Sequence, residues 1–547
     1  MNKTLKRIGS ILLAATSLAS ICSITACDEP DGPQSGQTVI TMMGWGDTDE
    51  RRIFGTMIDN FMQENPEYYV SYNATDGDSY MNNLTNLFTN RKNMPDVFYM
   101  ADTEFVQYAY SLDGIFEDLN PYVNASQNLD KNDLYEESIR AYSFNKETQT
   151  LGDPAGALYG LPKDLGPTVL VYNKEYAQTA GITVDNTISV GYDVENKKLN
   201  DKVPMTWAQY IKFAEDLSAG GKQKTNKKTV YGSGNYPIEL AYYSTGNSFI
   251  NYDMEENKTN ATVNNADFAM ALQFCADLET QFKVVVPQEA QKSTSGIQRF
   301  VQGDAAMVFA GTWQNNALWK CTYDWDILPT PVPSETNSVT DANGNVDYNA
   351  AAREGTKNVS YLGSVCLSVF AGSKVKEGAY KLVEYLSTSK SAQEYNYKAG
   401  MSVPNLKSQM ADFKTATLND PRKMNRPLNR TIYEEALANS HRRELAYTWN
   451  GEYDNDWSQA LYNCPIQNYK YHIYHVYQNK DTTGRASSYA PNYIIYDWKN
   501  ACVTTQAMSY GGETGAISGI DFLAGLNGEM QRRLNVYNGQ YKFYSAY

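Results

Sequence analysis

FVQGDAAMVFAGTW, residues 300–313, ends a run of small and apolar side chains on a glycine, a threonine and a tryptophan. Ala305 to Ala310 is uncharged and lies between Gly303 and Gly311, which predicts a strand covered on both faces. A buried helical turn has the same composition, and pattern alone does not separate the two. Trp313 falls just past the predicted strand end, where open α/β sheets hold their ligands. It has two readings: rim packing on its own core, the commoner fate of tryptophan, or contact with a ligand.

The N-terminus narrows the field. Lys3, Lys6 and Arg7 precede an apolar run from Ile11 to Ile24, followed by Thr25 and Ala26; this is a secretory signal over residues 1–26, outside the fold. Ile24-Thr25-Ala26-Cys27 resembles a bacterial lipobox, which predicts lipidation at Cys27; ordinary secretion by a cut nearby is the alternative. Residues 27–37 are Cys, Asp, Glu, Pro, Gly, Ser and Gln, a composition suited to a flexible tether. No later segment reaches the roughly 18 apolar residues of a membrane span. The expected location is the extracytoplasmic face of the cell membrane, held by lipid.

The 547 residues suffice for two large lobes. Net charge is −15, and the first 26 residues hold three cations and no acid, leaving −18. A basic stripe for nucleic acid is not expected. Five of the seven cysteines (Cys275, Cys321, Cys366, Cys464, Cys502) are scattered through the mature chain without zinc spacing, and most read as small apolar core residues. The chain has 43 Tyr against 18 Phe and 8 Trp. Tyrosine offers a flat apolar face and a hydroxyl, which suits sugars, whose C–H faces stack while their hydroxyls seek amides and carboxylates; a compositional habit is the bland alternative.

Strand and helix patterns alternate. TVITMM (38–43) reads as a strand; Ile53, Phe54, Met57, Ile58, Phe61 and Met62 recur at helical spacing until Asn65-Pro66. A strand in YYVSYNA, a helix around 79–91 and a strand in DVFYM (96–100) follow. Thr206 is a plausible N-cap for TWAQYIKFAEDLS, and VKEGAYKLVEYLS repeats the amphipathic pattern. Alternation of this kind means α/β lobes.

Six segments then carry a resemblance: the lipobox, MPDVFYMADTEFVQYA (94–109), LYGLPKDLGPTVLVYNKEYAQTAGI (158–182), PMTWAQYIKFAEDL (204–217), FVQGDAAMVFAGTW (300–313) and VKEGAYKLVEYLSTSKSAQEYNYKAGMSVP (375–404). In this order and spacing they resemble the family 1 solute-binding lipoproteins of carbohydrate ABC importers, which are maltose-binding-protein-like. The likeness covers about residues 38–410; residues 411–547 depart from it, being long and rich in Tyr and Asn. The resemblance implies a two-lobed α/β clamp of the type II periplasmic-binding-protein class. Lobe one would hold 38–158 and 360–404, lobe two 159–357 and 405–547. Hinge crossings are expected at YGLP (159–162) and around Tyr361-Leu362-Gly363.

It also implies a sugar or oligosaccharide ligand, two permease subunits and, through them, an ATPase, with no cofactor of its own. Trp313 matches a position where relatives place an aromatic against a sugar ring. Tyr99 and Asp102 match another cleft position; a carboxylate accepts strong hydrogen bonds from adjacent hydroxyls, while helix capping is the alternative for Asp102. Trp45 and Asp47 follow the first strand, as ligand contacts or as loop and cap. Lys163 and Asp164 either pair with each other or reach the ligand. Tyr236, Tyr361 and, in the divergent tail, Trp449 complete the candidate set.

Other constellations fail. His472 and His475 are three apart, without a companion carboxylate motif for metal. Asp341 to Asp347 echoes the start of a calcium loop but lacks its sixth-position glycine and twelfth-position glutamate, and reads as a surface loop. No phosphate-binding glycine loop and no GxSxG occurs. A surface glycoside hydrolase, which needs only paired carboxylates, and a glycan-capture lipoprotein without a transporter are the competing functions.

Overall fold

The computed structural model describes residues 32–102, 105, 114–253, 255–256, 258–291, 293–335 and 346–441, with a few short pieces between 502 and 543. Cys27, Trp449, His472 and His475, and most of the loop at 341–347, lie outside them.

The first lobe grows from strand β1 (Thr38–Trp45), helix α1 (Thr48–Glu64), strand β2 (Tyr68–Thr75), helix α2 (Gly77–Asn90) and strand β3 (Val97–Ala101). Asp47 caps α1, its carboxylate accepting from Glu50 N at 2.9 Å. The helix buries Ile53, Phe54, Met57, Ile58 and Phe61, the stripe its spacing predicts, and stops at Asn65 before Pro66. β1 runs parallel to β2 from Thr38 opposite Tyr68 to Trp45 opposite Thr75, and parallel to β3.

The two lobes share one sheet because two strands belong to both. Strand β4 (Leu161–Asn173) is 13 residues long. Its first half pairs antiparallel with β7 (Ser360–Val369), placing Leu161 opposite Leu367 and Gly166 opposite Gly363. Its second half pairs with β5 (Met307–Gly311) and β6 (Trp325–Leu328). β7 continues onto β3, with Val365 opposite Ala101, while its start takes the short β8 (Ser440–His441). The path is β5-β4-β7-β3-β1-β2, with β6 on β4 and β8 on β7. Within the stretch quoted first, Met307–Gly311 is a strand and not a helical turn; it starts two residues after Ala305 and ends on Gly311, and all five of its residues are buried.

Helix α3 (Trp207–Thr225) starts where expected: Thr206 and Gln209 form a reciprocal capping box. The Trp207 ring stacks on Phe274 of α4 (Ala266–Thr280), centroids 4.2 Å apart, in the core of the second lobe. Helices α5 (Lys376–Thr388) and α6 (Lys390–Lys398) return to the first lobe. Ala379, Leu382 and Leu386 of α5 pack in the core around β1 and β3.

The described pieces of the tail touch both lobes. Asn527 Oδ1 accepts from Val263 N at 2.9 Å and Gln531 Oε1 from Ala261 N at 2.8 Å. Lys542 and Phe543 pair in parallel with Thr150 and Leu151, beside the first-lobe core. No helix among the described residues is long and apolar enough to cross a membrane.

Candidate functional site

β5 ends at Gly311, and Thr312–Gln314 turn at once into a short 3-10 helix. Thr312 Oγ1 donates to Leu165 O at 3.2 Å, fastening the turn to β4. Trp313 emerges here with 43% of its surface exposed. Its six-membered ring is seated in a notch lined by Gly166 of β4, Gly311 of β5 and Gly363 of β7. A Cβ added at any of the three would fall within 3.0 Å of the indole carbons Cε3 or Cζ3. One part of the indole is packed against the strands, as the rim-packing reading has it, and a large part is exposed.

A second aromatic group fills the first-lobe side. Trp45 is half-buried and meets Tyr80 and Tyr99 edge-on, with centroids 4.8 and 5.3 Å away. Tyr99 lies wholly inside, under Gly44, where a Cβ would come 2.7 Å from its ring; its hydroxyl is 3.2 Å from that of Tyr72. Burial, with Tyr72 and Glu50 adding to it, holds the Tyr99 phenol well above its usual range. In this structure Tyr99 is therefore a supporting residue of the first-lobe core. A strand-end residue reads the same in sequence whether its ring points outward or beneath a glycine.

Lys163 is buried to 1% exposure. Its ammonium pairs with Asp164 and, at 2.7 Å, with Glu50 Oε1, and lies over the rings of Phe54 (4.6 Å) and Tyr99 (5.0 Å). Of its two readings the structure has the pairing, extended to a third member that the sequence did not suggest. Burial acts to lower the Lys163 pKa, but the Asp164 and Glu50 carboxylates outweigh it and the net direction is upward. Burial raises Glu50, and its share of one ammonium only partly offsets this. The spacing Asp47-x-x-Glu50 was a signal, but for a capping box; Glu50 turns to Lys163 instead.

Asp47 is exposed and serves as the α1 cap, the alternative it was given. Asp102 is buried just past the end of β3. Tyr236 is in the second-lobe core, edge-on to Phe309 (4.7 Å), Phe274 (5.0 Å) and Tyr210 (5.1 Å). Tyr361 is half-buried in β7, opposite His441 and two positions before Gly363.

A cavity of ≈ 690 Å³ opens between the first turn of α1 (Asp49, Arg52), Tyr395 of α6 and Ala399 at its C-terminal end, residues Trp319 and Lys320 beyond the 3-10 turn, and Arg422. Its size is that of a small-ligand pocket. It spans the lobes, and none of the sequence-predicted residues lines it. Trp319 is fixed by donating Nε1 to Arg426 O at 2.7 Å. The Arg426 guanidinium is itself wholly buried in a two-toothed pair with Asp420 (2.8 and 2.9 Å). Among the described residues no group of three or more His, Cys, Asp or Glu is placed to hold a metal ion.

The fold recurs in solved structures. An ABC substrate-binding protein of Listeria monocytogenes, in complex with cycloalternan, is similar with a TM-score of 0.58 and 15% identity over 91% of this chain and 99% of that one. The GacH receptor of Streptomyces glaucescens, solved unliganded and with acarbose, gives 0.57 and 17% over 92% and 100%. A lactose-binding protein of Rhizobium radiobacter is 26% identical over 225 residues. That match spans 40% of this chain and 43% of the relative's length. Residues 56–422, from within α1 to the turn bearing Arg422, match the family described as bacterial extracellular solute-binding protein, and the chain belongs to that family.

Proposed function

We propose that the protein captures a sugar or oligosaccharide between its two lobes and delivers it to the permease of an ABC importer at the extracytoplasmic face of the membrane. The observation that carries this reading is Trp313: a tryptophan anchored where both crossing strands meet and left 43% exposed. An exposed indole on a rigid base is suited to the C–H face of a sugar ring. The interlobe cavity, which Trp313 does not itself line, carries Asn316, Asn419 and the cations Arg52, Lys320 and Arg422, groups suited to hydroxyls. Family membership and the named ligands of the similar proteins support a sugar over other solutes. The division into lobe one (38–158, 360–404) and lobe two (159–357, 405–547), the anchor at Cys27, and the permease and ATPase partners belong to the same proposal.

Calorimetry against maltotriose, lactose and a panel of larger oligosaccharides tests it, with peptides and polyols as controls. Saturable binding of a sugar is expected. Trp313→Ala should weaken it by about 2–4 kcal/mol, the range of an aromatic hot spot, while the protein stays folded. Binding confined to the controls, or turnover of an oligosaccharide, would overturn the proposal.

A further inference from the structure

Gly166, Gly311 and Gly363 present a puzzle that backbone conformation does not solve. None is among the residues with left-handed φ, and Gly311 has φ −84°. All three lie in strands, where glycine weakens the sheet and offers nothing to pack. What they share is a neighbour. Gly166 and Gly363 are directly opposite each other across β4 and β7. Gly311 is opposite Thr168, two positions along β4 and so on the same face as Gly166. Three adjacent strands are bare at one spot, and the Trp313 ring occupies it.

We infer that these glycines are positioning residues for ligand recognition: they form a side-chain-free seat that fixes the Trp313 indole at the lobe crossing. The inference rests on the reading that Trp313 contacts a sugar. It adds that the orientation of the contact surface is set by both strands that join the lobes. A single methyl at any of the three positions lifts the indole, because the obstructing atoms belong to a rigid ring. Gly363 is the least crowded, its added Cβ meeting Cζ3 at 2.9 Å, so Gly363→Ala displaces the ring with the least damage to the sheet.

A double-mutant cycle separates this from a general structural effect. Affinity for the tightest-binding sugar of the panel, thermal midpoint, and the fluorine spectrum of 5-fluorotryptophan-labelled protein would be measured for four forms: wild type, Gly363→Ala, Trp313→Ala and the double variant. The Trp313 resonance is assigned by its absence from Trp313→Phe. Gly363→Ala should shift that resonance and weaken binding about tenfold or more, equivalent to about 1.4 kcal/mol. In the Trp313→Ala background the same change should cost nothing further, since the methyl then meets empty space. Gly363→Ala with Trp313→Phe should recover part of the affinity, because the smaller ring leaves room.

Equal losses in both backgrounds, or an unmoved resonance, would overturn the inference while leaving sugar binding intact. If Gly363→Ala fails to fold, the Gly363→Ala/Trp313→Phe variant decides: failure of that form too assigns the glycine to the sheet and not to the indole. Absence of sugar binding by the wild type is a different result. It removes the reading on which the seat's role depends.

Discussion

Lys163 Nζ lies 2.7 Å from Glu50 Oε1, and this contact fastens crossing strand β4 to the first turn of α1. With Asp164 as the second carboxylate, the ammonium sits in a pocket roofed by Phe54 and Tyr99. The brace secures the first-lobe end of the crossing, just before the glycine seat of Trp313.

Replacing the ammonium by an apolar side chain leaves two largely buried carboxylates facing each other. Lys163→Met should therefore cost about 3–5 kcal/mol, the range for breaking a buried pair from one side. Urea denaturation checks it. A loss under about 1 kcal/mol, typical of an exposed pair, would mean that water reaches the cluster.

The pH dependence follows from Glu50. Burial, only partly offset by Lys163, raises its carboxyl above 4.5, so the folded protein holds a proton there that the unfolded chain has already released. Stability must then fall as pH rises from 4.5 through the raised value. Glu50→Gln removes that contribution and should flatten the decline relative to wild type. Urea midpoints at intervals between about pH 4 and 7 would reveal it, and parallel curves for the two proteins would contradict it.

Tyr236 offers the converse test. Its ring is edge-on to three aromatics inside the second lobe. Tyr236→Ala should lower stability by about 3–5 kcal/mol through the cavity it leaves, with sugar affinity unchanged in the folded fraction. A selective loss of affinity would return Tyr236 to the ligand.

Membrane attachment is tested apart from the fold. Cys27→Ser should abolish partitioning of the protein into membranes, because a diacylglyceryl group supplies the two chains that stable anchoring requires. Retention of a correctly processed Cys27→Ser protein would exclude lipid at that residue.

The helices α1 and α5 were legible because each buries an apolar stripe at helical spacing, and β3 was legible as a short apolar run buried on both faces. Trp313 was legible as a position, though not as an arrangement. Its seat comes from Gly166 and Gly363, nearly two hundred positions apart and brought together only by the β4–β7 register. Tyr99 and Tyr236 show the reverse difficulty. In a chain so rich in tyrosine, residue type carries little information about which rings face inward, and neighbours from other elements decide it. Glu50 was missed because its partner Lys163 lies 113 positions away. The cavity wall at Trp319 and Arg422 was missed because neither belongs to a recognisable motif.

β7 has a consequence for how the chain reaches this state. β3 takes its antiparallel partner from Val365 to Val369, so Ala101 waits for a residue 264 positions further on. Until Ser360–Val369 has been made, β3 and the first half of β4 both lack the strand that lies between them. Open edges of this kind are adhesive, and closing so long a loop slows folding. One strand, β7, supplies the missing neighbour of β3 and of β4 at once. A fragment ending before Ser360 should be an aggregation-prone chain and not a half-sized binding module.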